Sequence, residues 1–184
     1  MKDINCDNNN KLFDKINRLK NDYSYQIFDV KAIGGAEHLY FAAVNVLKAF
    51  NQGLNISKTF SLELLLYVSG QRQISKAIEM VGIKCDTKEV ALVIISQDKE
   101  TVSNANIRLS KIIGGIRDNS ILKIHDPISV ARLYGMDNFC DDVTALKKLL
   151  IERSALLVTQ SWFDDLFLYF CFVENFFASS ELTT

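Results

Sequence analysis

The first half of the chain combines one strand pattern with a long helix pattern. Apolar and polar residues alternate within residues 25–33, which is typical of a half-buried strand. After Gly34 and Gly35, apolar residues recur every three or four positions as far as Gly53, where a helix is expected to end. The predicted buried stripe of this helix consists of Leu39, Ala43, Val46, Leu47 and Phe50.

Two further helices are predicted in immediate succession. The first is apolar on nearly every side and ends at Ser69 and Gly70. In the second, apolar residues fall at the spacing of a single buried stripe. That stripe consists of Ile74, Ala77, Ile78 and Val81, and the polar residues Arg72, Ser75, Lys76 and Glu79 lie opposite it.

The second half begins with the clearest strand of the chain. Residues 90–95 are continuously apolar and mostly β-branched, which indicates a strand covered on both faces. Asp98 is a good N-cap for a helix that ends before Gly114, and residues 121–124 are compatible with another short strand. Asp126 and Pro127 predict a helix start, and Asp141 a last one. The inward residues of the last helix are predicted to be Val143, Leu146, Leu149 and Leu150.

Both ends of the chain differ from the middle. Residues 1–24 are polar and form either a loose arm or a short helix, and residues 160–184 are strongly aromatic. The unbroken apolar run of residues 166–173 is far shorter than the roughly 20 residues that span a bilayer. We therefore expect this extension to be buried against its own domain or a partner, and predict a single mainly helical α+β domain at residues 25–159, packed on a small sheet.

Composition excludes some classes of function. The 184 residues carry a net charge of -1, which argues against a general nucleic-acid binder but leaves room for a local basic site. Four cysteines are scattered without a Cys-x-x-Cys pair, and no secretory segment is evident at the N-terminus. Free thiols and a cytoplasmic location are therefore expected.

No residue pattern marks an active site. Gly34 and Gly35 lack the further glycines or the lysine of a phosphate-binding loop, and neither His38 nor His125 has metal-ligand spacing. We expect no catalysis, metal, cofactor or small-molecule substrate. A small enzyme that uses Cys85 or His125 is kept as a less favoured alternative.

The start of the helix after Gly70 carries two cations. Arg72 and Lys76 lie close to a helix N-terminus, whose unpaired N–H groups favour anions. This combination is compatible with a phosphate site. It is also compatible with a solvated helix face on which Glu79 partly neutralises Lys76, and the charge pattern alone favours this second interpretation.

The same stretch carries a family resemblance. Residues 62–78, Leu-Glu-Leu-Leu-Leu-Tyr-Val-Ser-Gly-Gln-Arg-Gln-Ile-Ser-Lys-Ala-Ile, resemble the signature of the small kinase-binding subunit of the KEOPS complex, the TPRKB family. The resemblance extends over about residues 25–159. It implies a non-catalytic subunit of the complex that installs the threonylcarbamoyl group on the adenosine next to the anticodon of certain tRNAs. The implied partners are the KEOPS kinase/ATPase and, as in archaeal members, the single-stranded CCA end of tRNA.

The resemblance also implies which residues bind tRNA. Arg72 would contact a phosphate or stack on a base, Gln73 would bond to a base edge, and Lys76 would add attraction. Ile74 or Ala77 would be either contact or core residues. The full implied set is Lys58, Gly70, Arg72, Gln73, Ile74, Lys76 and Ala77. For the kinase we expect an apolar surface formed by exposed helix faces; the helix at residues 36–50 is one candidate, and the sequence does not resolve which face is used. The alternative function is a kinase-binding scaffold without RNA binding.

Overall fold

The computed structural model describes residues 1, 23–124, 126–139 and 141–157. Within these residues lie two strands and six α-helices, a mainly helical α+β domain as predicted. The elements are β1 (Ser24–Asp29), α1 (Gly35–Gln52), α2 (Phe60–Ser69), α3 (Ile74–Val81), β2 (Val90–Ile95), α4 (Lys99–Ile113), α5 (Pro127–Leu133) and α6 (Val143–Ala155). The predictions for residues 2–22 and for the aromatic extension fall outside the described residues.

The two strands form an antiparallel sheet with a helical layer on each face. Ser24 lies opposite Ile95 and Asp29 opposite Val90. On β2, Ala91 and Val93 face the main core, whereas the alternate residues, Val90, Leu92 and Ile94, pack against α4. The continuous apolar run of β2 is therefore explained, because both faces of this strand are covered.

Helix α2 lies at the centre of the molecule. It packs against α1, α3, α6 and β1, and all of its residues from Glu63 to Ser69 are buried. A helix surrounded in this way has no solvated face, which is why its sequence is apolar on nearly every side. After the C-terminal end of α2 the chain passes from the core to the surface, where residues 72–76 are exposed.

Some of the predicted elements are wrong in detail. Residues 30–32 leave the strand for a 3-10 turn, since the side chain of Asp29 accepts a hydrogen bond from the Lys31 N–H. The strand predicted at residues 121–124 is instead a 3-10 turn, Asn119–Leu122, which buries Ile121 without a pairing strand. On α6, Val143 and Leu149 are 37% and 41% exposed because they flank the narrow stripe that faces the core.

In the part of the chain that the structure describes, no helix has both the length and the hydrophobicity needed to cross a bilayer.

Candidate nucleic-acid interface

The turn after α2 is a Schellman motif centred on Gly70. Gly70 adopts the left-handed conformation, with φ of 64°. Its N–H donates to the Tyr67 carbonyl at 3.4 Å, and the Gln71 N–H donates to the Leu66 carbonyl at 3.1 Å. Gly70 therefore ends α2, and its amide group is already used. Its N–H is therefore not one of the open amides of the next helix, and a tRNA contact at Gly70 stays a prediction.

The open amides lie three residues further along, at the start of α3. Gln73 is the N-cap residue, and its side chain makes no capping hydrogen bond. The first backbone bond of the helix is from the Ala77 N–H to the Gln73 carbonyl. The N–H groups of Ile74, Ser75 and Lys76 consequently have no acceptor among the described residues.

Two cations lie beside these amides. Arg72 and Lys76 are exposed, and neither forms an ion pair with a carboxylate in the described ranges of the chain. The charge of Arg72 also acts on Tyr67 at the end of α2. Burial and the Glu63 carboxylate raise the pKa of Tyr67 to about 12, and Arg72 opposes this shift. The corner between α2 and α3 thus carries two cations that have no ion-pair partner among the described residues, although the chain is nearly neutral.

The predicted stripe of α3 is only half buried. Ala77 and Val81 are fully buried, whereas Ile74 and Ile78 are 37% and 47% exposed. Of the two alternatives left open for Ala77, contact or core residue, its buried side chain favours the core. Ile74 is accessible, but successive residues turn by about 100°, so it points to a different side of the helix from Lys76.

Lys58 does not belong to the same corner. It lies just before α2, and a helix of this length separates it from Gly70 by about 15 Å. Its loop is held by the buried carboxylate of Glu63, which accepts from the Ser57 N–H at 2.6 Å and from the Ile56 N–H at 2.9 Å. The structure therefore brings Arg72, Gln73, Ile74 and Lys76 together but leaves Lys58 at the far end of α2.

Arg153 on α6 is a cation at this corner that the sequence reading missed. Its Nη1 donates to the Tyr134 carbonyl at 2.7 Å, and its guanidinium carbon lies 5.6 Å from the centroid of the Tyr134 ring. Its side chain also crosses Gly70 so closely that a Cβ there would be 2.6 Å from Nε. The sequence offered one sign of Arg153, its position as a basic residue in the last turn of α6. Such residues are too common to identify a binding site.

Buried polar groups of Tyr134 and His38 lie in the core next to this corner. The Tyr134 hydroxyl lies 3.0 Å from the carbonyl oxygens of both Val68 and Ala32. The ring of His38 meets the Tyr134 ring edge-on, and its Nδ1 accepts from the Gly34 N–H at 3.0 Å. Burial lowers the pKa of His38 to about 4, an effect that the Val68 carbonyl only partly opposes.

Other chemistry finds little support in this structure. Gly34 is a packed turn, where an added Cβ would be 2.4 Å from Leu150 Cδ1, and its N–H already bonds to His38. No group of three or more potential metal ligands occurs among the residues with described positions. Cys85 is exposed, while His125 lies outside the described residues, so the enzyme alternative is not tested.

An exposed aromatic pair lies on α1. Tyr40 and Phe41 are 37% and 43% exposed, and their rings meet edge-on with centroids 5.3 Å apart. Large aromatic side chains at the surface are typical of protein interfaces. This pair falls within the helix that was one candidate for kinase docking.

Comparison with known proteins identifies the family. The sequence profile of the family described as "Kinase binding protein CGI-121" matches residues 2–157. The match begins at residue 2, so it includes the polar N-terminal segment, and it ends before the aromatic extension.

Two curated relatives are similar to parts of the chain. "Regulatory protein Cgi121" of Methanocaldococcus jannaschii is 32% identical over 105 residues, which is 55% of this chain and 62% of the relative. "KEOPS complex subunit Cgi121" of Pyrococcus abyssi is 40% identical over 48 residues, 26% of this chain and 28% of the relative. The matched regions thus span less than two thirds of either relative. Because the family profile covers most of the sequence, the chain belongs to the CGI-121 family of kinase-binding proteins.

Proposed function

We propose that this chain is a non-catalytic, cytoplasmic subunit of a KEOPS-type tRNA threonylcarbamoyladenosine-modification complex. In this proposal it binds the kinase/ATPase of the complex and the single-stranded CCA end of tRNA. The family description and the name of the Pyrococcus abyssi relative support the assembly and the kinase partner. The tRNA role depends on the corner between α2 and α3.

One observation carries the RNA-binding proposal. Arg72 and Lys76 lie beside the open N–H groups of α3, and neither forms an ion pair with a carboxylate among the described residues. A helix N-terminus with nearby cations attracts phosphate groups. A flexible single strand suits so small a site, because it can present one or two phosphates without the surface that a duplex requires.

The remaining residues supply contacts to bases. The exposed Gln73 amide carries both donors and an acceptor, so it can bond to a base edge. Ile74 begins α3 next to Gln73 and offers an exposed apolar surface to a base face. Phosphate contacts at Arg72 and Lys76 would then supply affinity, and the two neighbouring side chains would favour unpaired bases.

Charge reversal tests this assignment. We expect Arg72→Glu to weaken binding of a labelled CCA-ended RNA by tenfold or more, because it replaces an attraction for phosphate with a repulsion. Arg108→Glu is the matched control, since Arg108 is an exposed arginine on α4, which packs against β2. Fluorescence polarisation of both variants gives the dissociation constants. Equal affinities for Arg72→Glu and the unaltered chain would contradict the proposal.

The kinase contact is assigned to the aromatic pair on α1. We expect Phe41→Glu to abolish co-purification with a KEOPS-type kinase, because a charge would replace buried aromatic area at the interface. Ile107→Glu on α4 is the control, since Ile107 is 53% exposed and lies on another helix. If Phe41→Glu bound the kinase as well as the unaltered chain does, this surface would be excluded as the kinase contact.

A kinase-binding scaffold without RNA binding is the second candidate. The net charge of -1 and the exposed Tyr40–Phe41 pair favour it. The same polarisation assay separates the two functions. A protein that retains the kinase but shows no RNA binding at low salt would support the scaffold and exclude the tRNA role.

A further inference from the structure

Arg153 reaches the candidate RNA site from a distant part of the sequence. It lies on α6, yet an added Cβ at Gly70 would be 2.6 Å from its Nε and 2.7 Å from its Cγ. The arginine can lie across the turn only because residue 70 has no side chain. Arg72 is two residues further on, so its Cα is at most about 7 Å from that of Gly70.

The guanidinium of Arg153 is held in place, but most of its N–H donors make no hydrogen bond to the described residues. It stacks over the Tyr134 ring at 5.6 Å and donates from Nη1 to the Tyr134 carbonyl at 2.7 Å. A guanidinium carries five N–H donors. Among the described residues, the other four have no acceptor, and no carboxylate pairs with Arg153.

This arrangement differs from that of an ordinary surface arginine. The side chain is half-buried, and its stem and ring contacts already restrict its rotamers. Binding an anion would therefore cost it little additional conformational entropy. The planar fork also matches the geometry of a phosphate group, which accepts parallel N–H bonds.

We propose that Arg153 is an RNA-binding residue whose guanidinium contacts a backbone phosphate next to the one bound at Arg72. The inference depends on the proposed tRNA role and deepens it. The RNA strand would then contact three cations from two separate segments of the chain: Arg72, Lys76 and Arg153. An anion among these charges relieves their mutual repulsion, which gives the ligand a direct electrostatic advantage.

The salt dependence of binding distinguishes a phosphate contact from a packing role. Each phosphate contact to a single strand contributes about 0.7 to the slope of log affinity against log salt. Arg153→Met keeps an aliphatic stem over Gly70 but removes the donors and the charge. We expect this variant to bind a labelled CCA-ended RNA about tenfold more weakly at low salt, with a slope smaller by about 0.7.

Two controls complete the experiment. Arg108→Met removes an exposed arginine on α4 and should leave both affinity and slope unchanged. Arg153→Lys keeps the charge and should retain most of the slope, although it loses the fork. A folded Arg153→Met protein with an unchanged slope would overturn the inference.

A measurement on the unaltered chain covers the case in which Arg153→Met does not fold. The Nε–Hε NMR signal of Arg153, assigned with Arg153→Lys, is followed during titration with the same RNA. We expect a saturable shift with the affinity seen by polarisation, and no shift would overturn the inference. If the unaltered chain binds no RNA at all, the proposed function itself fails, which is a different result from binding without Arg153.

Discussion

The hydroxyl of Tyr134 and the carbonyl oxygen of Val68 lie 3.0 Å apart, which joins the end of α5 to the last turn of α2. The same hydroxyl lies 3.0 Å from the Ala32 carbonyl. This contact fixes the end of α2 one residue before the turn that leads to the candidate RNA site.

Tyr134→Phe should therefore destabilise the protein. The variant keeps the ring under Arg153 but removes the one hydroxyl proton that two buried carbonyl oxygens share, at a cost of about 1–3 kcal/mol. Urea denaturation measures the change in the free energy of unfolding. A change below about 0.3 kcal/mol would mean that the hydroxyl does not stabilise this junction.

Glu63→Gln should loosen the loop before α2. The carboxylate accepts hydrogen bonds from the Ser57 and Ile56 N–H groups. The side-chain amide introduced by the substitution would face one of these N–H groups with its own N–H donors, so that hydrogen bond would be lost. We expect a loss of about 2 kcal/mol or more. Amide hydrogen exchange should accelerate at residues 56 and 57. Glu79→Gln, on an exposed position of α3, is the control and should change stability by less than about 0.5 kcal/mol.

Stability should fall as the pH is lowered through the titration of His38. Burial holds its pKa at about 4 in the folded state, below the ordinary value of 6.5. Between these values the unfolded chain binds a proton that the folded chain does not, so unfolding is favoured as the pH drops. The shift corresponds to roughly 3 kcal/mol at full extent.

Thermal melts between pH 7 and pH 4.5 measure this effect. We expect a His38→Gln variant, which has no titrating group at this position, to lose this component of the decline. A parallel decline in both proteins would assign the acid sensitivity to other groups.

Gly70 and Arg153 should be energetically coupled. Gly70→Ala places a Cβ in a left-handed conformation, at about 1–2 kcal/mol, and also displaces the Arg153 side chain. In an Arg153→Ala background only the backbone strain remains, so the same substitution should cost less. A double-mutant cycle by urea denaturation should give a coupling of about 0.5–3 kcal/mol. Additive effects would show that the side chain moves away without cost.

Periodicity was sufficient to predict most helices and strands, because each depends on local signals. The spacing after Gly35 and the cap at Asp98 are such signals, and the structure confirms the helices that they predicted. The strand predicted at residues 121–124 was wrong for a physical reason. A short, mostly apolar segment can bury Ile121 from a tight turn as well as from a strand, and only the presence of a pairing strand decides between them.

The candidate site was less predictable because it combines segments that are remote in sequence. Arg72 and Lys76 were found from their spacing near a helix start. Ile74 and Ile78 are exposed although they share the predicted stripe with the buried Ala77, because helical periodicity gives the direction of a stripe but not its width. Arg153 could not be found at all, since its closeness to Gly70 results from the packing of α6 against α2.

The pairing of β1 with β2 has a consequence for how the protein reaches its native state. Residues 30–89, with three helices, lie between the two partners of this sheet. The entropy of closing so long a loop must be overcome before the strands gain their hydrogen bonds. Refolding of this domain should consequently be slower than that of a helical bundle of equal size, with sheet closure as a late event.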